Sequence, residues 1–567
     1  MSIKKLVSVM LVTAMVITAL AGCGKKTSEG GSYAKTLTID VYDVAANYQG
    51  MQTGWFQKVV KDRFNIELNI IAPQVAGDAI FQTRASTGNL GDIVLLEAET
   101  FIECVQNGLI KDISKEFANS KYLIEYKDQI DTFNKGIPGN EDAKTYGIPT
   151  QMTNTSPTSY SQEVIYSSPL LRWDLYKELG MPEINDLDGL LDVLEAMMKN
   201  HPTNEEGDPA YPFSLWPDWD GGDRMLGIAN VVQLTTWYGE KIKESIILKP
   251  DGTFIPLTDK SGTYYKMLQF LNKAQQRGLV DPDSGTQDWN TACAKMSAGQ
   301  VYLMWYSWQV GFWNSQERLK NGTAFIFVPV KDQMYYVDAD TYYGSGRVFG
   351  VGSKVDKEKY ERIMAFLDWY ASPEGLEFQH NGIRGFNYEV GEDGKYIVKN
   401  DNALMDNLPV PEEYGGGGYQ DGFNAINQWI VDSISINPNT GEPYASTYWK
   451  SYKEATMTDM KREWTERFGA ENPVDYMKKN NKLLISPNVS VSLPPDTNDI
   501  SVIRNQCNET ICDYSWRMIF AKSQAEFDAM WDEMVQKLEG FGYKELVEFD
   551  KVKFQVELDA KNAAANK

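Results

Sequence analysis

Thr36-Leu37-Thr38-Ile39-Asp40-Val41-Tyr42 alternates the apolar Leu37, Ile39 and Val41 with their neighbours, Trp55 to Phe64 follows as a helix-like stretch, and Ile66, Leu68 and Ile70 alternate again. Period-two patterning on either side of a helical pattern reads as a βαβ unit. Asp92-Ile93-Val94-Leu95-Leu96 is continuously apolar after its first residue, as expected of a strand buried on both faces of a parallel sheet. A helix from Thr100 to Asn107 stops at Gly108. Asn185 or Asp186 caps a helix that puts Leu187, Leu190, Leu191, Leu194 and Met197 on one face. Asp356 caps another through Tyr370, and Ser372-Pro373-Glu374 opens the next with proline in its first turn. Near the end, Ser523-Gln524-Ala525-Glu526 is a capping box, followed by Phe527, Met530, Trp531, Met534 and Leu538 at helical spacing and then Gly540. The chain is α/β throughout, without a fixed-period repeat. The Pro-, Asn- and Gly-rich stretch from Pro409 to Asn439 reads as a surface excursion or a cleft-edge loop.

The N-terminus carries a different signal. Lys4 and Lys5 precede an apolar run from Leu6 to Leu20, and Leu20-Ala21-Gly22-Cys23 closes it. This resembles the lipobox of bacterial lipoproteins, which implies cleavage after Gly22 and a lipid-modified Cys23, the chain then facing outward on a membrane. An ordinary signal peptide with an incidental cysteine, or a short membrane helix, is the alternative, although the run falls short of the roughly 20 residues that span a bilayer. Residues 23–35, with Gly30-Gly31-Ser32, read as a flexible tether.

More than 500 of the 567 residues remain, too many for one core of usual size, so two or more lobes are expected. The formal charge is −23, and removing the segment ahead of Cys23 takes two lysines with it and leaves −25. Such a surface repels nucleic acid and anionic lipid. Aromatic residues make up 12%, with 15 Trp, more than a soluble core requires, so some rings are expected to face a ligand. Five cysteines and two histidines leave little for transition-metal or imidazole chemistry. Cys104 and Cys293 read as buried thiols; Cys507 and Cys512 are close enough to pair, with the geometry left open by spacing alone.

Four stretches occur in a telling order: Thr87-Gly88-Asn89-Leu90-Gly91-Asp92-Ile93-Val94, then Thr145-Tyr146-Gly147-Ile148-Pro149, then Met296-Ser297-Ala298-Gly299-Gln300 with Val301 to Trp308, and last Phe366 to Gly375. Over roughly Thr36 to Gly385 the chain resembles the family 1 extracellular solute-binding proteins, the carbohydrate-binding components of ABC importers. The resemblance implies a two-lobed periplasmic-binding-protein-like fold of type II, with the sugar in a cleft between the lobes. The expected division is 36–158 with about 330–385 in lobe 1, and about 159–329 with about 386–567 in lobe 2. Many large members carry a calcium loop near the place where this chain reads His201-Pro202-Thr203-Asn204-Glu205-Glu206-Gly207-Asp208. That stretch lacks the regular Asp/Asn spacing, so no metal is expected there.

Sugars offer apolar C–H faces and a belt of hydroxyls, so a site needs rings and polar side chains together. Tyr211 to Trp216 reads as a strand, and Pro217-Asp218-Trp219-Asp220-Gly221-Gly222 follows at its carboxyl end, where ligands bind in open α/β sheets. Trp216, Trp219, Asp220 and Arg224 are candidates there; the alternative is that the Trp side chains pack beneath a turn while Asp218 and Asp220 cap the next helix. Trp305-Tyr306-Ser307-Trp308 follows a second strand, and the resemblance matches Trp308 by order to a Trp that stacks on sugar in the maltodextrin-binding members. Strand alternation separates Trp305 from Trp308 unless a turn intervenes, so Trp305 is the core alternative. In the first lobe Asp43, Asn47, Glu97, Glu99 and Gln151 follow strands and can accept sugar hydroxyls. Trp289 and Arg347 complete the set, with a core position and a salt bridge as their alternatives.

The leading expectation is a monomeric, lipid-anchored receptor that captures an oligosaccharide for the permease of an ABC importer, without a cofactor and without catalysis. A secreted glycoside hydrolase using paired carboxylates, or a ligand-sensing surface lipoprotein, are the alternatives.

Overall fold

The computed structural model describes residues 33–77, 79–221, 225–400, 407–491 and 493–566. The expectations for Lys4 to Cys23 and for Arg224 fall outside them. The chain divides into two compact units. The first holds the described residues through Glu125, with Val348–Gln379 and those of Asn400–Trp429; the second holds Tyr126–Arg347, His380–Lys399 and those of Ile430–Lys567.

In the first unit, the opening strand Leu37–Asp43 pairs in parallel with Ile66–Ile71 on one side and Ile93–Glu97 on the other, in register from Leu37 against Ile66 and from Val41 against Ile93. The helix Gly54–Phe64 makes the crossover, burying Trp55, Phe56, Val60 and Phe64. The βαβ reading therefore holds. Ile93 to Leu96 are all buried, as the uninterrupted apolar run requires. Each fully buried Ile, Leu or Phe in this core contributes about 1.5–3 kcal/mol.

The helix caps appear where the sequence places them. Asp186 accepts the Gly189 N–H, and Asp356 the Lys359 N–H. Pro373 opens the helix that runs to His380. Ser523 accepts the Glu526 N–H at 3.2 Å while the Glu526 carboxylate accepts the Lys522 N–H at 2.8 Å. That helix does not stop at Gly540: it runs to Phe541 and ends at Gly542, whose φ of +97° is the left-handed geometry a helix terminus needs.

The Pro409 to Asn439 stretch is a surface excursion only in part, since buried residues alternate with exposed ones along it. In the first unit, Trp55 stacks on Tyr419 at 5.2 Å and donates its indole N–H to the Tyr419 carbonyl. Gln52 donates to the Phe423 carbonyl at 2.9 Å and accepts the Ala425 N–H at 2.6 Å. Gly54, at φ +70°, lies so close that a Cβ there would stand 2.3 Å from Gly422 Cα. In the second unit Ile430 and Val431 are fully buried, and the Met152 backbone bonds to Ile430 and Asp432. The stretch carries little regular structure, yet side chains and backbone remote in sequence bond to it at Tyr419, Phe423, Ala425, Ile430 and Asp432, which lets these parts pack inward while Pro411, Glu412, Glu413, Gln420 and Asp421 stay exposed.

The second unit centres on an antiparallel sheet with Ser167–Arg172 between Leu303–Tyr306 and Phe325–Phe327. Tyr211 to Trp216 runs beside it as an extended segment, bridged at Tyr211 to Val301 and at Phe213 to Val280. Pro212 and Pro217 lack the N–H groups of a full ladder, so it is not a continuous strand. Three long helices, Asn498–Ile519, Gln524–Phe541 and Tyr543–Ala565, close the chain and share the unit's core through Ile511, Met518, Phe527, Trp531, Met534 and Leu546. Cys507 and Cys512 are free thiols, as are Cys104 and Cys293. Five residues apart on one helix, Cys507 and Cys512 point about 140° away from each other, which rules out a bridge in this conformation.

Candidate functional site

Ten of the 15 Trp side chains are buried, so most of the Trp surplus is core, not ligand surface. Trp308 is the Trp among the exposed large apolar side chains, at 40% exposure. Its position follows from how the preceding strand ends. The pairing register of Leu303–Tyr306 shifts between Met304 and Tyr306, and the Gln309 side-chain carbonyl accepts the N–H groups of both Trp305 and Tyr306 at 3.0 Å. The chain then turns into the short helix Gln309–Phe312. Trp305 consequently faces the core at 1% exposure while Trp308 emerges.

Trp308 tops a cluster of rings. It stacks on Tyr306 at 5.1 Å and 19°, and its centroid lies 6.1 Å from Trp219 and 5.7 Å from Trp289. Trp219 and Trp289 are 4.5 Å apart and both half-buried. Below them Trp216 contacts Trp289 at 4.6 Å and stacks on Trp305. Trp216 is buried, so it supports the rings from beneath, contrary to its candidacy as a surface contact. Tyr166, absent from the sequence-derived candidates, is 55% exposed and meets Tyr306 edge-on at 5.4 Å. It arrives there because Ser307 donates its N–H to the Tyr166 carbonyl at 3.0 Å, a consequence of antiparallel register.

Both aspartates accept a backbone N–H at the start of a helix, but only Asp220 does so at the next one, as the helix-cap alternative describes; the helix that Asp218 meets is remote in sequence and has Asp288 as its own cap. Asp218 accepts the Trp289 N–H at 2.6 Å, holding the first residue of the helix Trp289–Ser297. Asp220 accepts the Ala229 N–H at 2.8 Å and the Trp516 indole N–H at 2.6 Å. Burial pushes the Asp220 carboxyl up to about 6, against the lowering effect of those two donors. Gln151, held with φ +56°, has its carbonyl bonded by the Thr341 hydroxyl at 2.6 Å. Arg347 is half-buried, its carbonyl accepting the Thr150 N–H at 3.0 Å.

In the first unit, Asp43 is buried and one oxygen accepts the Ala45 N–H at 2.8 Å. Asn47, Glu97 and Glu99 are exposed. Glu97 lines an open groove of about 550 Å³ with Tyr42, Val44, Phe81, Gln82 and Thr100, at the carboxyl ends of the adjacent parallel strands. Each unit therefore presents a polar or aromatic surface of its own. In the His201 to Asp208 stretch, Asn204 Oδ1 accepts the N–H groups of Glu206 and Asp208. Among the described residues, no three His, Cys, Asp or Glu side chains gather where a metal ion would sit, and no helix is long and apolar enough to cross a membrane.

Comparison with known proteins gives the family and the fold. The family model for bacterial extracellular solute-binding proteins matches residues 50–377, more than half of the chain. Lipoprotein LipO of Bacillus subtilis is 23% identical over 350 residues, 57% of this chain and 62% of LipO. The fructooligosaccharide ABC transporter substrate-binding protein FusA of Streptococcus pneumoniae is 23% identical over 199 residues, covering 35% of this chain and 34% of FusA. The matches thus span about three fifths of one curated relative and one third of the other. Among solved structures, the alginate-binding protein AlgQ2 superposes over 94% of this chain and 100% of its own, with a TM-score of 0.59 at 15% identity. FusA in complex with kestose gives 0.58 at 17% over 94% and 100%, and an HMO-binding solute-binding protein from Bifidobacterium longum infantis 0.56 at 15% over 93% and 100%. These likenesses are of fold, that of the type II solute-binding proteins. The family that the match names is one of solute-binding proteins, not of enzymes. By the span of the family match and by its fold, the chain belongs to the bacterial extracellular solute-binding proteins.

Proposed function

We propose that this protein captures a neutral oligosaccharide on the aromatic floor of the second unit and hands it unaltered to the permease of an ABC importer, while a lipid on Cys23 holds it at the outer face of the membrane. One observation carries the reading: Trp308 is exposed and stacked on Tyr306, with Trp219 and Trp289 behind it and Tyr166 beside it. A flat ring held against a second ring offers the C–H face of a pyranose or furanose a rigid partner at little entropic cost. The net charge of −23 disfavours an anionic ligand. The fructooligosaccharide named for FusA and the kestose in its structure support the sugar class, and the name of LipO supports the anchor.

Calorimetry with kestose, fructo-nystose and other neutral oligosaccharides, alongside alginate oligomers, tests this reading. A neutral ligand in the micromolar range is expected, about −8 kcal/mol, with chromatography finding no shortened sugar. Binding of alginate oligomers alone, or release of shorter sugars by purified protein, would contradict it.

A further inference from the structure

We propose that Trp516 and Asp220 are a positioning pair through which the C-terminal helix Asn498–Ile519 holds the aromatic floor in register. This helix lies beyond residue 377, where the family match ends, so it belongs to the part of the chain that the match does not explain.

Asn508, Cys512 and Trp516 recur every four residues and therefore share one face of the helix. That face meets the segment that follows Trp216. The Trp516 indole N–H donates to Asp220 Oδ2 at 2.6 Å, one residue after Trp219. Asn508 Oδ1 accepts the Gly227 N–H at 3.1 Å. Gly221, at φ +68°, lets the turn approach so closely that a Cβ there would stand 2.1 Å from Asn508 Nδ2. The Trp516 ring also lies 3.8 Å from where a Cβ on Gly285 would be, on the turn that leads to Trp289. One indole thus bonds the turn bearing Trp219 and borders the turn before Trp289. The other oxygen of Asp220 holds the Ala229 N–H, so the carboxylate links the helix, the turn and the helix Ala229–Thr235. Hydrogen bonds to a carboxylate are roughly twice as strong as neutral ones, which suits such a tie.

The inference rests on reading the floor as the ligand's surface, but its test is read without sugar, so failure to bind any oligosaccharide leaves the answer intact. Hydrogen exchange by mass spectrometry on the full chain compares wild type with Trp516→Phe, which keeps a ring and loses the donor, Asp220→Asn, which keeps one acceptor oxygen, and Tyr514→Phe. Tyr514 sits on the same helix and donates instead to Glu533 of the neighbouring helix at 2.6 Å. Trp516→Phe is expected to speed exchange across 215–221 and 227–232 about tenfold while 524–541 stays as in wild type. Asp220→Asn should speed the same segments by less. Tyr514→Phe should leave them unchanged. Unchanged exchange at 215–221 in Trp516→Phe would overturn the inference, as would an equal acceleration by Tyr514→Phe, because the effect would then be general loosening of the helix. Should Trp516→Phe fail to fold, Asp220→Asn against Tyr514→Phe decides by the same reading.

Discussion

Trp216 and Trp305 lie parallel, their ring centroids 5.4 Å apart and their planes within 2°, both sealed from solvent beneath the rings that Trp308 tops. Three residues of one segment thus separate a foundation from a surface. Trp305→Ala should lower ligand-free stability by about 3–5 kcal/mol, whereas Trp308→Ala should lower it by less than about 1 kcal/mol. Chemical denaturation of the two variants checks this; equal losses would mean that Trp308 is also core.

Arg504 is buried with its guanidinium against Asp550 at 2.8 Å, Asp496 at 2.6 Å and Glu244 at 2.7 Å. Lys553 adds a second buried cation, 2.8 Å from Glu244. Arg504→Met leaves buried carboxylates short of a partner and should cost about 3–5 kcal/mol. Arg277 makes comparable pairs with Asp192 and Glu195 on the surface, and Arg277→Ala should cost less than about 1 kcal/mol. Unfolding midpoints at neutral pH separate the two cases.

Two groups tilt stability with pH in opposite directions. Burial lowers the His380 imidazole to about 4, so its contribution is present above its ordinary value near 6.5 and is lost as pH falls toward 4. That shift sets about 3 kcal/mol as the upper bound of the loss. Asp220, raised to about 6, contributes stability that is complete below its ordinary value near 4 and is lost as pH rises to 6. Between pH 6.5 and 4, His380→Gln should flatten the acid-side decline and Asp220→Asn should steepen it, as read from unfolding free energies across that range. The reverse ordering would contradict both assignments.

What was legible in the sequence was local. The βαβ pattern and the caps at Asp186, Asp356 and Ser523 depend on residues within a few positions of one another, and each stands as read. Gly540 misled because an isolated glycine is tolerated inside a helix already held by Phe527, Trp531, Met534 and Leu538. The partial burial of the Pro409 to Asn439 stretch depends on Gln52 and Trp55, hundreds of residues away, so composition alone suggested a surface. Within the site, the separation of Trp308 from Trp305 was expected from strand alternation, whereas a register shift and a turn produce it. Tyr166 was not readable, since only strand register brings it to Tyr306, nor was Trp516, whose partner lies 296 residues earlier.

The anchor is tested apart from the fold. Cys23→Ser should release the protein from membranes into the medium, because acylation at that position is what would hold it there. Cell fractionation checks the expectation, and wild-type protein found wholly free of membranes would contradict it.

The central claim is that the exposed face of Trp308 is a sugar's binding surface. Calorimetry of wild type and Trp308→Ala with the tightest oligosaccharide of the neutral panel tests it most directly. The account predicts that removing the ring weakens binding by about 1–3 kcal/mol, roughly 5- to 150-fold, with the melting temperature nearly unchanged. Wild-type affinity in Trp308→Ala together with a large fall in melting temperature would contradict it.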